Sequence, residues 1–278
     1  MAWLEREHTT LVALIYQAVE AGVEPAVLPL VQGQFTFLLR NQLADTMIEL
    51  NQLSWEVATR RRDDLAAAAS AQSLGVGYSL RNQVAQAVPW YERTLELNAR
   101  LGFEDRVART HMNLGAIYSD SSQLAQAVRH LQLGLEISRR IGDGFGESHA
   151  LGNLAYTYQQ MRCWDLAVPT FIEAIEVQHR AGNRHGECLA HSNLGATYVE
   201  LGRHRDALSH LQVGLELATE LGDQLTIARD RLSMGDVHIG LGEPSAAQAQ
   251  WQEALRIFLE LGHPEAQDAQ CRLRQHDA

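Results

Sequence analysis

A step of 40 residues runs through most of the chain. Leu74, Leu114, Leu154, Leu194 and Met234 stand on it. One place on come Gly75, Gly115, Ala155, Gly195 and Gly235, and Tyr78, Tyr118, Tyr158, Tyr198 and His238 keep the same step. A fixed period of this length predicts a stack of small units, each burying its apolar face on the next, instead of one globular core.

Residues 104–142 show how a unit is built. Leu114 and Tyr118 are four apart and share a helix face, and Gly115 beside them lets a neighbouring helix approach. A polar turn over Ser119 to Ser122 leads to a second helix from about Gln123 to Ile141. There Ala127, Leu131 and Leu135, with Val128 and Ile137, fall at helical spacing. Gly142 ends that helix and Asp143 is placed to cap the next one.

The second helices carry Ala87, Ala127, Ala167, Ala207 and Ala247, each followed four residues later by Tyr91, Leu131, Phe171, Leu211 or Trp251. Repeats are expected at about 64–102, 104–142, 144–182, 184–222 and 224–262. Two helices per unit make the expected fold class all-α: an α-solenoid of antiparallel helix pairs, wound as a right-handed superhelix. Pro89 and Pro169 lie inside second helices, where each removes a backbone hydrogen bond and predicts a local kink.

Residues 1–62 fit the period poorly. Stepping back from Ala87, Leu95 and Leu97 reaches Met47, Trp55 and Val57, but stepping back from Leu74 and Gly75 reaches Gln34 and Phe35. Helices near 3–21, 26–40 and 43–61 are expected, a degenerate repeat with a leading helix that caps the stack. A closing helix is expected at 264–275, within a C-terminal cap and tail over 263–278.

Leu-Gly-x-x-Tyr on the first helix, with alanine and an aromatic on the second, resembles the tetratricopeptide repeat, in a variety longer than its usual 34 residues. The resemblance covers roughly residues 64–262, with Gly134 and Gly214 departing from the alanine usual in that family. Together with Trp3-Leu4-Glu5-x-Glu7, the array is also similar to the C-terminal arm of bacterial NB-ARC/STAND regulators. That resemblance implies a regulatory arm that senses or holds a partner, with an ATPase and effector domain upstream. Neither occurs in the 278 residues.

Composition narrows the function. The net charge of −11 disfavours direct binding to nucleic acid, which needs basic residues to neutralise phosphates. All 23 basic residues are arginine, so a P-loop, Schiff-base or kinase-type lysine is excluded. Three scattered cysteines, Cys163, Cys188 and Cys271, fit reduced thiols better than a disulfide framework. The N-terminus lacks a signal-peptide pattern, and no apolar run approaches the ~20 residues of a membrane span. A cytoplasmic protein without a membrane partner is expected.

The resemblance implies that first helices line a concave groove. Since Leu114 and Tyr118 point into the stack, the groove stripe is offset from them: Arg109, Asn113, Ala116 and Asp120. The same stripe gives His149, Asn153, Tyr156 and Gln160, then Leu189, Asn193, Ala196 and Glu200, then Arg229, Ser233, Asp236 and Gly240. Asn113, Asn153 and Asn193 form a ladder, and an asparagine amide offers both a donor and an acceptor to a peptide backbone. In families of the 40-residue type, the matching asparagine contacts peptide backbone. The other reading is that these asparagines bond across adjacent helices. Arg109 and Arg229 suit an acidic group on a ligand, or pair within the protein with acids such as Asp105 or Asp230. Tyr156 either stacks on a ligand or packs in the groove wall.

His185, Cys188 and His191 are all metal-ligand types three residues apart, but structural zinc wants four ligands at tighter spacing. No metal or other cofactor is expected. No carboxylate pair and no G-x-S-x-G points to catalysis, so a binding protein for a peptide or protein partner is expected instead of an enzyme. The alternative is a solenoid that acts by self-association, for example as a homodimer.

Overall fold

The computed structural model describes residues 2–276, and those residues form fifteen helices and no strand. The chain divides into two compact units, Met1–Gly142 and Asp143–Ala278. The first holds α1 (Ala2–Glu20), α2 (Glu24–Gly33), α3 (Phe35–Arg40), α4 (Ala44–Arg61), α5 (Asp64–Leu80), α6 (Val84–Arg100), α7 (Glu104–Asp120) and α8 (Leu124–Ile141). The second holds α9 (Gly144–Gln160), α10 (Trp164–Arg180), α11 (Arg184–Glu200), α12 (His204–Leu221), α13 (Gln224–Gly240), α14 (Pro244–Glu260) and α15 (Ala266–Gln275). The architecture is an all-α solenoid of helix pairs.

Local chemistry sets the helix ends. Asp63, Asp143, Asn183 and Asp223 each accept a backbone N–H three residues on, at 3.0–3.1 Å, and so start α5, α9, α11 and α13. Every twentieth residue from Gly22 to Gly262 has a positive φ, which stops one helix and turns the chain into the next. Most of these positions are glycine, but Gln42, Arg62, Asn82, Ser122 and Arg162 adopt the same left-handed conformation. The backbone therefore keeps its period at residues 22, 42 and 62, where the side-chain pattern fades.

Two expectations need correction. The helix foreseen at 26–40 is broken into α2 and α3 at Gln34. Its N–H bonds back three residues to Val31 O at 3.1 Å, and its buried side chain turns to Leu30 O and His8 Nδ1. The turn foreseen from Ser119 begins later, because α7 runs on to Asp120. Pro89 and Pro169 lie within α6 and α10, as expected. Of the N-terminal motif, the side chains of Leu4 and Glu5 lie outside the described residues.

Each unit has its own core. In the first, Tyr91, Leu114 and Ala127 are buried together, alongside a second cluster of Ile15, Val31, Leu38, Met47, Leu50 and Val57. In the second, Trp251, Phe258, Ile257 and Ala228 form the centre. Burying one such aliphatic or aromatic side chain stabilises by roughly 1.5–3 kcal/mol. The period glycines permit this packing: a Cβ on Gly195 would sit 2.6 Å from Leu211 Cγ. Gly214 makes room for different partners, since a Cβ there would meet Ser192 Oγ at 2.6 Å and Asp230 Oδ2 at 2.9 Å.

Candidate binding clefts

In the first unit, α5 and α7 enclose a cleft of about 420 Å³. Ala68, Ala69, Gln72 and Val76 come from α5, and Arg106, Arg109 and Asn113 from α7, while Phe35 and Leu39 add an apolar side from α3. Arg109 is exposed and loosely paired with Asp105 at 3.7 Å. Arg106 lies over the Phe103 ring at 4.5 Å. The cleft is thus apolar at its base and basic at its edge. Asp120, at the far end of α7, is exposed and outside it.

In the second unit, α11 and α13 enclose a smaller cleft of about 240 Å³. Leu189, Ser192, Asn193 and Ala196 face Thr226, Arg229, Asp230 and Ser233, with Glu265 at the rim. The Arg229 guanidinium donates to both oxygens of Glu265 through Nε, at 3.0 and 3.1 Å, and to Oε1 through Nη2, at 2.6 Å. Its carboxylate partner is therefore Glu265, not the adjacent Asp230. Gln159 on α9 donates to the Asn193 carbonyl at 3.2 Å and ties these first helices together. His149, Tyr156, Gln160 and Glu200 are exposed, and Asn153 is half-buried; none of the five lines this cleft.

Among the described residues, the side-chain amides of Asn113, Asn153 and Asn193 have no hydrogen-bond partner, and all three are half-buried. Asn113 belongs to the first unit, Asn153 and Asn193 to the second.

Asp230 was expected from the sequence only as a salt-bridge partner for Arg229, not as a cleft residue. It is 2% exposed and accepts a hydrogen bond from Ser192 Oγ at 2.9 Å. Burial pushes its carboxyl up to about 7, with the Ser192 hydroxyl pulling the other way and the charge of Asp223 adding to the rise. A signal was present: at the same place in each unit stand Ser70, Thr110, Ala150 and Ala190, and the charge appears only at residue 230.

The run His185, Cys188 and His191 does not converge. Cys188 is fully buried, its Sγ 3.4 Å from Gly214 O, and burial pushes the thiol up to about 12. His185 is exposed. His191 turns instead to His210, with Nδ1 atoms 3.0 Å apart, and His111 pairs with His130 in the same way. Tyr118 and Tyr198 lie against His130 and His210 at 5.5 and 5.6 Å. Burial first, and then the facing ring, lowers His111 and His191 to about 4. Among the described residues no group of three or more metal-ligand side chains gathers, and no helix is long and apolar enough to cross a membrane.

A stack of capped helix pairs with clefts between successive first helices defines a helical repeat protein. The sequence profile of the tetratricopeptide repeat matches residues 64–140 and 146–220, and the chain belongs to that family. No curated protein sequence matches it. Solved structures resemble it at low identity. BtubC (BKLC) from P. vanneervenii aligns with a TM-score of 0.70 at 20% identity, over 80% of this chain and 94% of that one. A Rap protein complexed with Competence and Sporulation Factor aligns with a TM-score of 0.65 at 15% identity, over 90% and 75%. A STAND protein with a tetratricopeptide repeat sensor, PH0952 from Pyrococcus horikoshii, aligns with a TM-score of 0.65 at 16% identity. That match covers 93% of this chain but 39% of the other.

Proposed function

We propose that the chain is a regulatory or scaffolding module that holds an extended peptide, or a segment of a protein, against its first helices. The observation that carries this reading is the pairing of Asn113 and Asn193 with clefts. Each asparagine lines one, and each keeps its side-chain amide unpartnered among the described residues. An unpartnered half-buried amide is costly unless water or a ligand satisfies it, and a peptide backbone presents the matching donor and acceptor. Asn153 supplies a further amide of the same kind. Side-chain selectivity comes from the walls: Phe35 and Leu39 with Arg106 and Arg109 in the first unit, and Ser192, Arg229 and Asp230 in the second. The similarity to a Rap protein in complex with Competence and Sporulation Factor supports a peptide-sized ligand. The similarity to a repeat sensor in a STAND protein supports a role in bacterial transcriptional or signalling control.

In this reading the repeats over 64–262 bind, while residues 1–62 and 263–278 cap them. Replacing Asn113, Asn153 and Asn193 together by alanine should leave the helical circular dichroism unchanged. It should weaken a ligand selected from a peptide array by at least about tenfold, the loss of one to two hydrogen bonds. Unchanged affinity would remove the asparagines from the site.

A further inference from the structure

The second cleft has an acidic floor that its own neighbours do not neutralise. The Asp230 carboxylate is almost wholly buried, yet its hydrogen-bond donor is a single hydroxyl, Ser192 Oγ. That hydroxyl has one hydrogen and is also within 3.1 Å of the Cys188 carbonyl, so it cannot serve both acceptors at once. Among the described residues, the groups facing Asp230 offer no cation: Ser192 and Cys188 on α11, Gly214 on α12 and Asp223 at the start of α13. Arg229, next to it on α13, is occupied by Glu265 at the rim.

The surrounding sequence accommodates this carboxylate. The other units place a serine, threonine or alanine in the same slot. Gly214, a place that Gly134 also leaves without a side chain, makes room here: a Cβ on it would collide with both Ser192 Oγ and Asp230 Oδ2. Glycine within a helix is unfavourable by about 1 kcal/mol relative to alanine.

We propose that the cleft over Asp230 is a subsite for a cationic side chain, a guanidinium or ammonium group, carried by the peptide ligand; this rests on the groove reading above. The incoming cation supplies the donors that Asp230 lacks, and Ser192 is then free to satisfy the Cys188 carbonyl. Because burial raises Asp230 to about 7, cation binding ionises it and releases a proton near neutrality.

A randomised peptide display library, selected on the full chain and on its Asp230→Asn variant, tests this. The wild type should enrich peptides with arginine or lysine at one fixed place, and the variant should lose that preference. A selected peptide should bind the variant at least about tenfold more weakly. Its affinity for the wild type should fall as pH drops from about 8 to about 6, and that dependence should vanish in the variant. If peptides are selected but replacing the basic residue by citrulline or norleucine changes nothing, the subsite is overturned and the groove reading stands. If no peptide is selected, the groove reading fails, and Nα-acetyl-arginine amide is titrated instead. Binding lost in Asp230→Asn then supports the subsite, whereas equal or absent binding overturns it.

Discussion

His191 on α11 and His210 on α12 meet with their Nδ1 atoms 3.0 Å apart. One ring donates and the other accepts, which requires at least one neutral imidazole. His111 and His130 repeat this geometry 80 residues earlier. In the unit after His191 and His210, the same two places hold Arg231 and Gln250, joined at 3.0 Å.

The pairs make the fold sensitive to acid. An unfolded histidine titrates near 6.5, whereas burial lowers His111 and His191 to about 4. The unfolded chain therefore binds protons first. Stability from the pairs is complete above about pH 6.5 and is lost as pH falls towards 4. Discounted for their partial exposure, each pair should account for roughly 1–2 kcal/mol. The double substitution His191→Arg with His210→Gln copies the neighbouring unit and should shrink the drop in thermal midpoint between about pH 6.5 and 4.5. An unchanged pH profile would show that the pair does not titrate with folding.

Asp230 has the opposite sign. Its folded value, about 7, lies above the ordinary 3.8. Stability tied to its protonated form is complete below about pH 4 and is lost as pH rises through 7. Asp230→Asn should therefore stabilise the free protein by a few kcal/mol near pH 8 and leave it unchanged near pH 4. Urea unfolding at the two pH values measures the difference. A variant less stable at pH 8 would mean that the carboxylate finds compensation within the fold.

The glycines differ sharply in what they allow. A Cβ on Gly235 would lie 2.2 Å from Trp251 Nε1, and that indole is 1% exposed with no room to retreat. Gly235→Ala should cost roughly 1–3 kcal/mol by overpacking. A Cβ on Gly33, at the end of α2, would meet nothing within 4 Å. Gly33→Ala should be neutral or gain up to ~1 kcal/mol by stiffening the unfolded chain. Denaturation midpoints of the two variants should move in opposite directions or differ by at least about 1 kcal/mol.

Much of this was legible because one signal was written many times. Leu-Gly-x-x-Tyr, the second-helix alanines and the glycines after second helices all follow from a repeated packing geometry, so each copy supports the others. The break at Gln34 was not legible, because it depends on a buried amide bonded to Leu30 and His8 that no period describes. Asn113, Asn193, Arg109 and Arg229, expected on the groove stripe, line clefts in the fold. Asp230 was read only as a partner for arginine because the stripe argument passes one residue to its side, and only the surrounding fold reveals how deeply it is buried. Glu265, the partner of Arg229, lies 36 residues away, beyond any spacing rule within a helix.

The left-handed turns give a further test. Arg162 and Ser122 hold φ of 56° and 61° with ordinary side chains, while the matching position 202 is glycine at 67°. A side chain in this region is strained by roughly 1–2 kcal/mol. Arg162→Gly and Ser122→Gly should each stabilise by up to ~1 kcal/mol, after the added entropy of the unfolded glycine. Gly202→Ala should destabilise by a similar amount, and thermal unfolding of the three variants would reveal whether the turn geometry carries the strain.

The closing helix α15 depends more on charge than the helices before it. Ala269 is its buried residue, with Ala266 and Leu273 only partly covered, so its apolar contribution is small. Two arginine bridges hold it instead: Arg229 to Glu265 at 2.6 Å, and Arg272 to Asp236 at 2.7 Å. Asp236 also accepts from the indole of Trp251 at 3.1 Å, which couples the helix end to the core of the second unit. Removing both bridges with Glu265→Gln and Arg272→Gln should lower the opening free energy of residues 266–275 by about 1–2 kcal/mol. Amide exchange should quicken across α15 while α11 and α12 keep their protection and the global urea midpoint moves little. Exchange that stays slow in α15 would mean that Ala269 and Leu273 suffice to dock it.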